Sequence, residues 1–233
     1  LKELLFSMWR VRTFDWLVKT INLTKLYTRR GEEFAAVDSA NIELYKGDLA
    51  VITGHSGSGK STLLSMLTGI LRADSGEIIF DGENFSQMSD DELTRLRSSE
   101  IGYIPQGNTL LYNLSVTENI TLPSELSGVK KVKVTELLEK IDIAHLANER
   151  PRNLSGGEAR RVAIARSLIG DPKILVADEP TSDLDPENAD LILRFFEKIS
   201  EGGTTIIIVT HDRQLPTAAN RCFIMQKGKL TET

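Results

Sequence analysis

The chain has 233 residues, 40% of them apolar and 26% charged, with a formal net charge of −5. That length supports a large core in one or two domains, and the acidic balance supplies no positive field for phosphate backbones, so no nucleic-acid partner is expected. Cys222 is the only cysteine, which excludes an intrachain disulfide and fits a reducing compartment, and no apolar run reaches the length of a membrane span.

Residues 1–17 read as an N-terminal extension. Leu1, Leu4, Leu5 and Met8 have helical spacing, and Trp9 and Trp16 lie near Arg10 and Arg12. Two accounts compete: a basic amphipathic segment at a membrane interface or membrane partner, or a packed or partly disordered extension. Phe6 and Phe14 interrupt the polar face and favour the second. The end lacks the pattern of a secretory signal.

Ordered structure is expected to begin with the strand region Thr20–Leu23 and Lys25–Tyr27, followed by a single strand over Val37–Leu44. The next segment organises the chain. Val51–Ile52 reads as a buried strand and Ser61–Leu67 as a helix, and between them stands G-x-x-x-x-G-K-S as Gly54, Gly59, Lys60 and Ser61. A triphosphate is wrapped by inward-pointing backbone N–H groups, and Gly54, Gly57 and Gly59 permit the backbone angles and close approach this needs. The phosphate-binding loop therefore comprises Gly54, His55, Ser56, Gly57, Ser58, Gly59, Lys60, Ser61 and Thr62. Lys60 reaches the β/γ-phosphates and the Ser61 hydroxyl ligates Mg²⁺. The competing account is a Gly/Ser-rich surface turn that happens to hold a lysine; the flanking strand and helix weigh against it.

Further on, Glu77–Phe80 reads as a strand and Asp81-Gly82 as a hairpin turn. Ser89 to Glu92 forms a capping box that opens a short helix carrying Leu93 and Leu96 on one face. Ile101–Ile104 is an apolar strand ended by Pro105-Gln106. Residues 107–171 read as a helical subdomain, with Val134, Leu137, Leu138 and Ile141 at helical spacing and a helix from about Gly157 to Leu168. Buried-strand patterns return at Ile174–Ala177 and Thr205–Val209, separated by an amphipathic helix bearing Leu191, Ile192, Phe195, Phe196 and Ile199. Apolar runs alternating with helices predict a parallel α/β sheet covered on both faces.

The strand Ile174–Ala177 delivers Asp178 and Glu179 to the carboxyl edge of that sheet, where ligands bind in such folds. After a phosphate-binding loop, Asp178 holds Mg²⁺ and Glu179 orients and polarises the attacking water as a general base. Two solvated acids at a strand end are the plainer account. A third constellation, Leu154-Ser155-Gly156-Gly157-Glu158, places small residues at a helix N-terminus, which is an anion site.

With this last motif the chain from about Thr20 onward resembles the nucleotide-binding domains of ABC ATPases, in which LSGGE is similar to the signature motif. The resemblance implies residues 18–233 as one ATPase domain: a P-loop core with a mostly parallel sheet, an antiparallel β subdomain and the inserted helical subdomain. It implies that Ser155, Gly156 and Gly157 cap the γ-phosphate held by a second ATPase protomer. Tyr27 matches the aromatic residue that stacks on adenine. Gln106 matches the glutamine that contacts Mg²⁺ or the water and senses the membrane partner. Asp185, in Ser182-Asp183-Leu184-Asp185, belongs to the loop bridging the two sites, and His211 matches the switch histidine on the γ-phosphate. The side chains of His55 and His145 fit no role.

Asn113–Pro123 and Ala177–Thr181 look like the branch containing macrolide exporters, lipoprotein-releasing ATPases and cell-division FtsE proteins, with departures at Tyr112 and Ser182. ATP and Mg²⁺ are the implied ligands. A transmembrane permease subunit is the implied partner, with this chain on the cytoplasmic face of the cell membrane. The alternative is a non-transport mechanotransmitting ATPase of the FtsE type. A DNA-repair relative is excluded because the segment between Gln106 and Leu154 is too short for a long coiled coil, and a ribosomal type would carry two ATPase domains.

Overall fold

The computed structural model describes residues 16–128, 134–211 and 217–233. The expected extension lies outside this range up to residue 15. Its last two residues belong to the sheet instead, since β1 runs Trp16–Arg29 and Leu17 is 1% exposed.

β1 pairs antiparallel with β2 (Glu32–Ala40), and its first residues pair with β3 (Glu43–Tyr45). The single strand expected over Val37–Leu44 is thus two. Ser39 adopts a left-handed φ of 54°, and side chains take over the ladder there. Asn22 N donates to Asn41 Oδ1 at 2.9 Å, Ile42 N donates to the Thr20 hydroxyl at 2.9 Å, and that hydroxyl donates to Ala40 O at 3.0 Å. A backbone group lost to a β-ladder is costly when buried, and these polar side chains replace the partners.

β4 (Leu49–Thr53) leads through the phosphate-binding loop into α1 (Lys60–Leu67). β5 (Ser75–Phe80) and β6 (Glu83–Asn84) complete the antiparallel sheet in the order β2-β1-β5-β6. α2 (Asp90–Ser99) opens on the expected capping box, with Ser89 N donating to Glu92 Oε2 at 2.8 Å. β7 spans Ile101–Ile104.

Three helices follow: α3 (Val116–Ser127), α4 (Val134–Lys140) and α5 (Gly156–Leu168). Leu110, Val116, Ile120, Leu138, Ile141 and Val162 are among the residues of a hydrophobic cluster of their own. β8 (Ile174–Asp178), α6 (Pro186–Glu201), β9 (Thr205–Thr210), β10 (Arg221–Gln226) and β11 (Lys229–Glu232) finish the chain.

The second sheet runs β11-β10-β4-β9-β8-β7, parallel from β10 to β7 with β11 antiparallel at its edge. Every residue of β8 and β9 is buried, as continuous apolar strands covered on both faces must be. Phe196 and Ile192 of α6 pack with Leu49, Val51, Leu175 and Ile208 on one face. Leu63, Leu64 and Met66 of α1 pack with Ile52, Val176 and the antiparallel sheet on the other. The observed architecture is the one expected: a P-loop core, an antiparallel β part and a helical part.

Candidate active site

Because β4, β9 and β8 are adjacent and parallel, three carboxyl ends finish side by side. Thr53 stands opposite Thr210, and Asp178 opposite Val209. The phosphate-binding loop, His211 and Glu179 are therefore delivered to one edge, the ligand edge of an open α/β sheet. Together they line a cleft of about 960 Å³, with Tyr27 and Gln106 also on its walls.

Gly59, at the N-cap of α1, has φ +108°, and a Cβ there would lie 2.0 Å from Ala36 O. Only glycine fits, and the loop can therefore press against β2. Lys60 is almost wholly buried. Its ammonium donates to the carbonyls of Gly54 at 2.7 Å and His55 at 3.1 Å, and stands 4.0 Å from Glu179 Oε1. The His55 side chain itself is exposed on the cleft.

Glu179 occupies a left-handed backbone position, φ 50°, immediately after β8. Its N–H donates to Val209 O at 2.8 Å, and its carbonyl accepts from Ser182 N at 3.2 Å and the Ser182 hydroxyl at 2.8 Å. That turn aims the carboxylate back over the strand ends. There Oε2 accepts from His211 N at 3.2 Å and lies 2.8 Å from His211 Nδ1. The base candidate is thus held between Lys60 and His211.

Asp178 is 4% exposed, and its Oδ1 is buried with no protein hydrogen-bond partner among the described residues. Burial raises its pKa, with the adjacent Glu179 charge in the same sense, while a hydrogen bond from Ser61 and the charge of Lys60 oppose. A buried, unpartnered carboxylate oxygen beside a serine hydroxyl is a donor set that fits Mg²⁺, which binds through one or two carboxylates and substrate phosphates. The buried Ser58 hydroxyl oxygen is likewise unpartnered within the loop. No helix among the described residues is long and apolar enough to cross a membrane.

Ser155, Gly156, Gly157 and Asp185 are not on this cleft. Ser155 caps α5, its N–H and hydroxyl donating to Glu158 Oε2 at 2.7 and 2.8 Å. Asp185 caps α6: Oδ1 accepts from Asn188 N at 2.9 Å and Oδ2 from Asn188 Nδ2 at 2.7 Å. Within one chain, then, its carboxylate serves as a helix cap, away from the cleft.

Tyr27 is 41% exposed at the cleft mouth, its ring centroid 6.2 Å from that of Phe34. Phe34, Lys227 and Gly228 also line the cleft and were not singled out from sequence. The Lys-Gly pair, with φ 48° and 83°, was a legible hairpin turn between two weakly patterned strands. Nothing local marked it as a wall of the site.

A G-x-x-x-x-G-K-S loop opening onto a cleft at a helix N-terminus, with an Asp-Glu pair and an imidazole at the same sheet edge, defines a P-loop nucleoside-triphosphate hydrolase. The sequence profile of the ABC transporter family matches residues 37–182. The chain is 42% identical over 219 residues to the lipoprotein-releasing system ATP-binding protein LolD of Buchnera aphidicola subsp. Schizaphis graminum, covering 92% of this chain and 96% of that protein. LolD of Treponema denticola is 38% identical over 221 residues, covering 93% of this chain. Among solved structures, the dimeric post-hydrolysis state of the ATP-binding cassette MJ0796 bound to ADP and Pi superposes with a TM-score of 0.85 at 33% identity, covering 93% of this chain and 97% of that one. The chain belongs to the ABC transporter family, as an ATP-binding and ATP-hydrolysing subunit.

Proposed function

We propose that this subunit works as a head-to-tail dimer of two copies, each ATP lying between the cleft of one chain and the α5 N-terminus of the other. The observation that carries the reading is the separation just described: Ser155, Gly156 and Gly157 stand at the start of α5, away from the chain's own cleft, and a helix start is a place where an anion can be held. One chain would contribute Lys60, Asp178 and Glu179, and its partner Ser155 and Gly157, with the loop around Asp185 between the two sites. The dimeric structures of MJ0796 support this.

On ATP binding Lys60 exchanges the Gly54 and His55 carbonyls for phosphate oxygens. Ser61 and Asp178, with Gln106 nearby, would hold Mg²⁺, which when bound would supply positive charge against the phosphate oxygens. Glu179 takes the proton of the attacking water. His211 fixes the carboxylate through its backbone N–H and imidazole, and presents the imidazole to the γ-phosphate. Tyr27 stacks on adenine.

The work is delivered to a transmembrane permease at the cytoplasmic face of the membrane, and the LolD relatives favour lipoprotein release over a mechanotransmitting role. Exposed apolar side chains in and beside the helical part, Leu111, Tyr112 and Leu126, offer that partner a face.

The composite site is tested by mixing Lys60→Ala with Ser155→Arg, both in a Glu179→Gln background that traps ATP. Each homodimer has two damaged sites, whereas a mixed dimer has one site with both defects and one with neither. Mixing is expected to restore trapped ATP, up to one per mixed dimer. No restoration with mixed dimers present overturns the reading.

A further inference from the structure

The first two turns of α5 carry a buried cation that ATP chemistry does not use. Arg160 is 7% exposed, yet among the described residues its only hydrogen-bond acceptors are Pro105 O at 3.4 Å and Gly107 O at 3.5 Å. Both bonds are at the long limit. A guanidinium removed from water is normally met by short, charge-assisted bonds. Arg166, further along the same helix, shows the contrast: it donates to Thr109 O at 2.9 Å and Thr109 Oγ1 at 2.6 Å.

Those two carbonyls bracket Gln106. Arg160 also shares a cavity of about 140 Å³ with Gly107, Gly156, Asp183 and Leu184. Asp183 is the charge that offsets part of the burial penalty on Arg160. It has a left-handed φ of 65° in a turn hung from the Glu179 carbonyl by Ser182. One loosely held cation thus stands where the Gln106 segment, the start of α5 and the turn after Glu179 meet.

We propose that Arg160 is a positioning residue that couples these three segments, so that a shift of Gln106 is carried to the signature helix and to the turn anchored on Glu179. Loose bonds in a small cavity suit this, because the guanidinium can change partners without the helix unfolding. A purely structural burden would behave otherwise: replacing a buried charge by a well-packed apolar side chain is often neutral or stabilising. The proposal rests on the ATPase reading of the cleft but not on the composite dimer.

The test compares wild type with Arg160→Met, which keeps the volume, and Arg160→Lys, which keeps the charge. Amide hydrogen exchange on the nucleotide-free full chain is expected to rise in Arg160→Met at residues 105–109 and 182–185 together. In steady-state hydrolysis kcat should fall at least about tenfold with KM for MgATP within about twofold, and Arg160→Lys should recover part of kcat. The melting temperature should stay within about 4–8 °C of wild type. Should Arg160→Met fail to fold, Arg160→Gln carries the same measurements.

Wild-type kcat in the variants, or exchange that rises at only one of the two segments, overturns the proposal. So does an equal loss of kcat and ATP affinity with a larger drop in melting temperature, which marks a packing role. Failure of the mixed-dimer experiment with the paired exchange response intact overturns the composite site alone. Absence of wild-type hydrolysis removes the ATPase reading and this proposal with it.

Discussion

His211 Nδ1 lies 2.8 Å from Glu179 Oε2, although the two residues sit on different strand ends and are far apart in the chain. The same carboxylate oxygen accepts the His211 N–H at 3.2 Å. Two contacts from one residue fix both the position and the direction of the carboxylate. The left-handed backbone at Glu179, a conformation that costs about 1–3 kcal/mol for a non-glycine residue, is what points it there. Strain at this residue is a cost accepted for aim.

Glu179→Gln should therefore keep the geometry and remove the base. The amide still accepts the His211 N–H, so ATP affinity should stay near wild type while turnover falls by about 10²–10⁴. Equilibrium ATP binding and steady-state hydrolysis on one preparation check this. Weak binding or near-normal hydrolysis would mean another group is the base.

Tyr27→Ala should weaken ATP several-fold, whereas Tyr27→Phe and Tyr27→Trp should bind nearly as wild type. The exposed ring, packed beside Phe34, offers a face to a base, and stacking does not use the hydroxyl. Equal affinities for wild type and Tyr27→Ala would remove the adenine-stacking role.

Gly157→Ala should destabilise the fold even though alanine in a helix is normally better than glycine by about 1 kcal/mol. A Cβ at this position would lie 2.3 Å from Asn188 Oδ1, and Asn188 is held by Asp185. Overpacking of this kind costs about 1–3 kcal/mol. Adding Asn188→Ala should relieve most of it, so urea unfolding of the two single variants and the double should give a strongly non-additive cycle. Additive effects would show that Asn188 does not set the requirement for glycine.

Asp81 joins the antiparallel sheet to the start of β8 through Lys173, at 2.8 Å. The Lys173 hydrogen bond is the main reason the Asp81 carboxyl is held below its ordinary pKa, with Lys46 adding to it. A depressed carboxylate contributes stability that is present above its unfolded pKa, about 3.9, and is lost as pH falls through the lower folded value. Asp81→Asn should thus lower the melting temperature at pH 7, and the gap from wild type should close on acidification below that range. A gap that persists unchanged at low pH would assign the effect to packing.

Much was legible in sequence because it is decided within a few residues. Gly57 and Gly59 take the positive φ that the loop motif required, and the Ser89-Glu92 and Ser155-Glu158 capping boxes form as spaced. The apolar runs at Ile174–Ala177 and Thr205–Val209 are the buried strands their composition demanded. The break after Ala40 was not legible, because it depends on the Thr20 hydroxyl of another strand reaching across to Ile42 N and on the Asn41 side chain reaching back to Asn22 N. Nor was β10, whose residues Arg221–Gln226 alternate only weakly and are held by pairing with β4.

By itself the sequence determined the loop glycines, the helix caps and the strand-end acids, since these follow from local backbone sterics and hydrogen bonding. Only the tertiary structure decided that β4, β9 and β8 lie side by side, and so that Lys60, Glu179 and His211 meet. It alone kept Ser155 and Gly157 off that cleft and put Arg160 between the Pro105 and Gly107 carbonyls and the turn at Asp183. These placements come from pairing and packing between residues distant in the chain, where the free energy is shared over a whole core and no short stretch specifies the partner.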